Sequence, residues 1–467
     1  MRILVAIASY GIANDHYLSQ VIQAYNAMPC KVDIVVLSNV TKDLPPGVSI
    51  VVGLPTRDPW SLPFAHKSIF ADRVCDYDLF IYSEDDILIT HENIQAFLRM
   101  TNVLPENEIA GFLRVEVGPD GRNYYPDVHA HFHWDSQRVR TTGDHTFAFF
   151  TNEHTACYML TRQQLQRAID SGGFLVRPHQ GKYDLACTAS TDPYTQCGFT
   201  KMICVSELQA FLVRHLPNKY VGTIYALEEE DFNRQLEVLW RIGHEGQTPL
   251  PPLTSETQLP CCVWSKSYYE PCRPEILELI PASTRSVLSI GCGWGATENR
   301  LVRSGIDVVG VPLDPVIAPC AAGRGVKIVT GSLETALGTL ADQLFDCILI
   351  LHILHLLRDP AAVLARLIRM LSPAGSLVLG MPTFHWLKLL CWQIQRRRGF
   401  KNVGNYNRTG VHPISYGVVR RWLRTCGLVA DTVSFNIPER RKFLTRLFLG
   451  RGGPWLADEM LMLCKRQ

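Results

Sequence analysis

The sequence predicts an α/β protein of two domains, each organised on a largely parallel sheet. Length is the first reason: 467 residues exceed what one hydrophobic core usually supports, so two domains of roughly 200 residues each are expected. The second is grammar, because short apolar runs alternate with stretches of helical spacing in both halves, as strands covered by helices do. The third is the join. GHEGQTPLPPLTSETQLP (243–260) holds four prolines and no hydrophobic period. Proline fixes φ and removes an amide donor, so this stretch is not expected inside a core element. The expected plan is a first domain over 1–245, a proline-rich linker over 246–270 and a second domain over 271–467.

Composition narrows the class. Hydrophobic residues make up 47% and charged residues 19%, ordinary values for a folded soluble protein. Lys+Arg of 46 against Asp+Glu of 44 leave a net charge of +2, so no nucleic-acid partner is expected. The 15 cysteines are odd in number and scattered, and the opening MRILVAIASYG is too short for a signal peptide and lacks its cleavage pattern. A reducing, cytoplasmic setting with buried thiols is expected. No apolar run reaches the roughly 20 residues of a bilayer span.

In the first half, RILVAIAS (2–9) reads as a strand ending in small residues before Tyr10 and Gly11. A helix over 16–28 and a second strand, VDIVVLS (32–38), follow, and 48–52 and 78–82 add two more strands. FIYSEDDILI (80–89) then sets Glu84, Asp85 and Asp86 between two apolar runs, at the carboxyl end of the fourth strand, where open α/β sheets bind ligands. Carboxylates are costly to bury without a partner. Hard Mg²⁺ or Mn²⁺ prefers oxygen ligands and arrives with substrate phosphates, so the triplet is a candidate metal–diphosphate site. A solvated acidic loop is the alternative, against which the apolar flanks argue.

A first strand running into Ala8-Ser9-Tyr10-Gly11, alternating elements, and Glu84-Asp85-Asp86 in the place of an Asp-x-Asp motif resemble the GT-A class of glycosyltransferases. The resemblance implies a GT-A-like domain that takes a nucleotide-sugar donor and a glycan or glycolipid acceptor. It implies that Ser9 and Tyr10 contact the nucleobase and that Asp86 ligates Mn²⁺ or Mg²⁺, with Glu84 and Asp85 sharing metal, ribose and sugar contacts. It further implies acceptor-binding residues or a base in the region of Glu153 and His154, with Asp184 and Asp192 as rivals; each is also readable as structural. Thr161 is the expected N-cap of the helix that begins RQQLQRAI. In VRHLPNKY (213–220), His215 would complete the metal shell and Lys219 hold the diphosphate, the alternative being an ordinary turn at Pro217-Asn218. His129, His131 and His133 alternate in VHAHFHWD (128–135) and on a strand would share one face. With no cysteine or carboxylate at ligand spacing, a polar strand face or loop is preferred over a metal site.

The second half opens with SVLSIGCGWG (286–295), a strand ending in Gly291, Gly293 and Gly295, with Cys292 between, then a helix over 296–304. Strands follow at 307–311, 326–330 and 345–351, then a helix over 360–371 and SPAGSLVLG (372–380) turning into a fifth strand. This order resembles the class I S-adenosylmethionine-dependent methyltransferases over 275–435, with "IGCG" after the first strand and "L-x-P-x-G" before the fifth. The resemblance implies a Rossmann-like domain binding S-adenosyl-L-methionine at Gly291 to Gly295. There are departures. Ser289 stands where the family has an acid before the glycines, and Pro312 where an acid takes the ribose hydroxyls, leaving Asp314 as a substitute. Ser332 stands at the adenine acid, with Glu334 nearby, and His352 and His355 follow the fourth strand where acids are common. A histidine titrates near neutral pH, so either is a candidate base for transfer to a hydroxyl, or else a packing group. An inactive domain kept as a scaffold is the alternative to an active one, and a glycan-binding first domain beside a methyltransferase is a third reading.

An apolar stripe followed by Arg396, Arg397 and Arg398 (386–400), and the basic stretch 440–453, suggest peripheral contact with an anionic membrane face or a phosphorylated acceptor. A helix covering the substrate, with a solvated basic end, is the alternative. Pairing sugar transfer with methylation suits surface polysaccharide assembly, by analogy alone.

Overall fold

A strand buried on both faces needs cover above and below, and residues 3–7 of β1 (Arg2–Ala8) are wholly buried. β1 is central to the first of two units, Met1–Thr248 and Pro249–Gln467, seen in the computed structural model. The structure describes residues 1–246, 250–384, 390, 400, 402–439, 441–442 and 456–467.

Unit 1 continues with β2 (Lys31–Ser38), β3 (Val48–Val52), β4 (Leu79–Glu84), β5 (Ile87–Leu88), β6 (Glu108–Ala110), β7 (Leu113–Val117), β8 (Asn123–Tyr125), β9 (Trp134–Thr142), β10 (His145–Phe150), β11 (Cys157–Thr161), β12 (Thr200–Cys204), β13 (Leu212–His215) and β14 (Leu227–Glu228). Its main sheet has the order β11-β4-β1-β2-β3, parallel except for β11. From β1 the chain moves outward to β2 and β3 on one side and returns as β4 on the other. That reversal opens a crevice at the carboxyl ends of β1 and β4. The helix Asp15–Asn26 covers the sheet with Leu18, Val21, Ile22 and Tyr25, the three-and-four spacing of one buried face. Two further sheets, β6-β12-β10-β9 and β14-β8-β7-β13-β5, complete the unit. Because β5 pairs with β13, the acidic turn after β4 joins the main sheet to the last of these. Thr161 caps the helix Arg162–Asp170 in a reciprocal capping box with Gln164, as expected. His129, His131 and His133 do not lie on a strand. They fall in an irregular segment before β9, where Ala130 has φ 53°, and so share no face.

Unit 2 carries β15 (Ser286–Cys292), β16 (Asp307–Pro312), β17 (Lys327–Ile328), β18 (Phe345–Leu351), β19 (Leu371–Pro382), β20 (Leu428–Asn436) and β21 (Glu459–Arg466) in the order β17-β16-β15-β18-β19-β21-β20. The first five are parallel and β21 runs antiparallel to both neighbours. It is a Rossmann-like α/β sheet with its order reversing at β15/β18.

One expectation is corrected. The stretch 246–270 is not simply a free linker: Leu253, Leu259, Tyr268 and Tyr269 are buried within unit 2. Irregular backbone is satisfied there by single bonds rather than by a ladder, as where the Gln258 amide donates to the Thr409 carbonyl and the Lys266 amide to that of Ser255. The described cysteines are free thiols. Among the described residues no helix is long and apolar enough to cross a membrane. The basic stretches at 386–400 and 440–453 lie almost wholly outside the described residues.

Candidate functional site

Unit 1 has a cavity of about 380 Å³ at the β1/β4 crevice, lined by Tyr10, Asn14, Trp60, Glu84, Asp85 and Asp86 among others. The parallel pairing that sets Ala8 opposite Glu84 brings the two turns together. Each acid is held differently. Asp85 is buried and accepts from Ser9 Oγ (2.6 Å) and Asn14 Nδ2 (2.8 Å), so its carboxylate fastens the first turn. Burial pushes its pKa up to about 6, against the pull of those two donors. Asp86 Oδ2 faces His215 Nε2 at 3.4 Å, while its Oδ1 is buried with no hydrogen-bond partner. Glu84 points into the crevice with a third of its side chain open. The surrounding protein and the charge of Asp86 push its pKa up to about 8, although Arg114 pulls the other way.

The residues expected to act together are partly assembled. Ser9, Tyr10 and the acidic triplet converge. His215 reaches the cluster through Asp86, with its Nδ1 held by Glu116 Oε1 at 2.5 Å. Its pKa is raised: burial lowers it, and the hydrogen bonds to Asp86 and Glu116 outweigh that. His154 Nε2 lies 4.0 Å from Glu84 Oε1, and burial, helped by Arg114, holds its pKa down at about 3. Glu153 is taken by Lys182 (2.9 Å) and the Tyr183 hydroxyl (2.6 Å). Asp184 caps the helix Leu185–Thr195, accepting from the Cys187 amide at 2.9 Å. Asp192 is buried in that helix and paired with Lys67. Those three carboxylates have structural partners and do not line the cavity.

The expected four-ligand shell of Glu84, Asp85, Asp86 and His215 is not assembled: among the described residues no three of His, Cys, Asp or Glu form a group able to hold a metal. Asp85 is turned to Ser9 and Asn14, and both nitrogens of His215 face carboxylates. A cation does suit the chemistry of what remains, a buried unpartnered Asp86 oxygen beside Glu84. Mg²⁺ commonly takes one or two protein carboxylates and completes its shell with substrate phosphate and water. Asn14, Trp60 and Glu116 escaped sequence reading. Asn14 lay four residues past Tyr10 in the same turn, the one local hint available.

In unit 2 the glycine turn stands at the carboxyl end of β15, as expected. Gly291 (φ 76°) and Gly295 (φ 84°) hold left-handed backbone, which glycine alone adopts readily. The groove beside it is narrow. Only about 20 Å³ remains between Lys266, Tyr268, Glu270 and the turn 291–298, where ligand pockets of this kind run to roughly 300 Å³ or more. A Cβ on Gly293 would lie 2.1 Å from the Tyr268 carbonyl oxygen, so the space this glycine clears is filled by the chain itself. Lys266, Tyr268 and Glu270 thus line a narrow groove beside the glycine turn.

Other cofactor candidates have internal partners. Ser289 Oγ donates to Glu298 Oε1 (2.7 Å), and Asp314 Oδ1 accepts from the amides of Val316 (2.7 Å) and Ile317 (2.8 Å). Ser332 caps the helix Leu333–Thr339, and Glu334 sits in its first turn. His352, at φ 55°, is bound to Glu459 Oε1 at 2.5 Å. His355 is fully buried against the Trp264 carbonyl (2.8 Å), and burial holds its pKa down at about 3.

Residues 288–379, from β15 into β19, match the family model described as a methyltransferase domain. The chain is 37% identical over 112 residues to an uncharacterized methyltransferase of Mycobacterium tuberculosis, covering 23% of this chain and 44% of that one. It is 31% identical over 107 residues to the ubiquinone biosynthesis O-methyltransferase of Xylella fastidiosa, covering 22% and 44%. The chain thus spans less than half the length of these curated relatives. Among solved structures, a SAM-dependent methyltransferase from Archaeoglobus fulgidus is similar at TM-score 0.32 and 16% identity, over 41% of this chain and 90% of that one. An N-methyltransferase from Bradyrhizobium japonicum in complex with S-adenosyl-L-homocysteine gives 0.29 and 18%, over 42% and 84%. The second unit carries a methyltransferase domain over residues 288–379.

Proposed function

We propose that this chain is a two-unit transferase: unit 1 moves a sugar from a nucleotide-sugar to a glycan or glycolipid acceptor, and unit 2 is an S-adenosylmethionine-dependent methyltransferase. The reading of unit 2 rests on the matched span, with its glycine turn at the carboxyl end of the central strand. The reading of unit 1 is carried by one observation. Tyr10 and Trp60, both exposed, share a cavity with the three carboxylates at the strand-order reversal.

That arrangement suits a nucleoside diphosphate, whose base stacks on aromatic rings and whose phosphates require a cation among acids. Asp86 and Glu84 would hold the Mn²⁺ or Mg²⁺, which supplies charge neutralisation for a departing diphosphate. Asp85 positions the first turn through Ser9 and Asn14. His215, anchored by Glu116, fixes the orientation of Asp86. His154, neutral at physiological pH, lies 4.0 Å from Glu84.

The test is hydrolysis or transfer from a panel of UDP- and GDP-sugars, with and without Mn²⁺. Release of nucleoside diphosphate that requires the cation is expected; turnover indifferent to it removes the reading of unit 1.

A further inference from the structure

A definite piece of the same chain packs against the glycine turn of unit 2 and lines its groove. Residues 255–270 fold back on themselves: the Lys266 amide donates to the Ser255 carbonyl (2.7 Å), the Thr257 amide to Ser265 Oγ (3.0 Å), and Thr257 Oγ1 to the Val263 carbonyl (2.8 Å). From this loop Tyr268 enters the groove. Its carbonyl accepts the Trp294 amide of the glycine turn at 2.9 Å, and its buried hydroxyl meets Ser255 Oγ (2.9 Å) and hydrogen-bonds the Asp314 carboxyl. One tyrosine therefore reaches from the glycine cradle to the acid nearest the end of β16. The Glu270 carbonyl adds a bond from Trp294 Nε1 (2.6 Å), and the Glu270 carboxylate pairs with the buried Lys266 (2.6 Å).

We propose that residues 255–270 are a built-in occupant of the cofactor groove, so that S-adenosyl-L-methionine enters unit 2 only when this segment swings out. The proposal rests on the methyltransferase reading of unit 2. Two features make the segment a movable occupant rather than part of the floor. Besides burying Leu259, Tyr268 and Tyr269, it is held by side-chain and isolated backbone hydrogen bonds and pairs with no strand of the seven-stranded sheet, so it can leave without unzipping that sheet. Cys262 (φ 47°) and Trp264 (φ 67°) also hold left-handed backbone that side chains other than glycine disfavour, and release of the segment relieves it. A ligand that binds only the open form has its affinity reduced by the open fraction.

S-adenosyl-L-homocysteine is titrated by calorimetry into the full chain and into Tyr268→Ala, with amide hydrogen exchange followed over residues 255–270. The expected result is weak binding to the unaltered chain, binding tighter by about tenfold or more in Tyr268→Ala, and ligand-induced acceleration of exchange in the segment. Exchange is read on the unaltered chain too, so the test stands if the variant fails to fold. Tight binding to the unaltered chain with residues 255–270 protected overturns the proposal alone, since the segment would then be a wall of the site. No binding to either protein, with the segment exchanging fast in Tyr268→Ala, removes the methyltransferase reading and the occupant with it.

Discussion

Asp85 and Asp86 are neighbours in sequence and opposite in circumstance. Asp85 has both oxygens engaged by Ser9 and Asn14, whereas Asp86 keeps one buried oxygen without a partner. Removing the first should therefore act on stability and removing the second on chemistry. Asp85→Ala leaves two donors without their acceptor and is expected to cost about 1–3 kcal/mol in urea unfolding. Asp86→Ala is expected to lower cation-dependent turnover of the nucleotide-sugar by about 100-fold, at a cost in stability no larger than that of Asp85→Ala, since only the 3.4 Å contact with His215 is lost. Tyr10 is half exposed on the cavity rim, and Tyr10→Ala should raise KM for the donor by about tenfold with kcat little changed, the mark of lost ground-state stacking. The triplet was legible in sequence because apolar runs flank it. Asn14, Trp60 and Glu116 were not, because a polar or aromatic residue in a turn has no periodicity to betray it and its partners lie far along the chain.

At the scale of elements, the expected linker over 246–270 shows how a local signal misleads. Four prolines and no period read as a linker, and apart from a short 3-10 turn at Pro260–Cys262 the described residues lack regular structure, yet buried Leu253, Leu259, Tyr268 and Tyr269 pack within unit 2. Helical or alternating periodicity reports only elements with a repeating buried face, and this segment buries residues one at a time. The glycine turn it covers was legible for the reason a glycine usually is, a left-handed φ at Gly291 and Gly295. Gly293 makes the two elements dependent on each other. Its added Cβ would meet backbone rather than a flexible side-chain end, so Gly293→Ala is expected to destabilise unit 2 by about 1–3 kcal/mol and to loosen residues 255–270 in limited proteolysis. Equal proteolysis of variant and parent would show that the contact bears no strain.

Across the whole molecule, the succession of strands and helices followed from apolar patterning, but the sheet orders did not. Which strand lies beside which is decided by tertiary packing, and the β1/β4 and β15/β18 reversals that create the two sites are invisible to periodicity. Stability in acid is likewise a property of a fold that brings distant groups together. Glu459 on β21 meets His352 and Arg273, and although burial alone would raise its pKa, these partners lower it from 4.5 to about 2. A carboxylate whose folded pKa is depressed stabilises the fold above its unfolded pKa and loses that contribution as pH falls through the folded one. Unit 2 should accordingly lose about 3 kcal/mol from Glu459 between pH 4.5 and 2, and Glu459→Gln should flatten that part of the profile in pH-dependent thermal unfolding.

The proposed sugar transfer by unit 1 requires a cation held together with a nucleoside diphosphate rather than in a protein cage. Its most direct test is Mn²⁺ binding followed by electron paramagnetic resonance, with UDP and GDP added in turn to the full chain and to Asp86→Ala. Mn²⁺ should bind tightly only when a diphosphate is present and be lost in the variant. Equal Mn²⁺ binding by parent and variant, or none with either nucleotide, would contradict it.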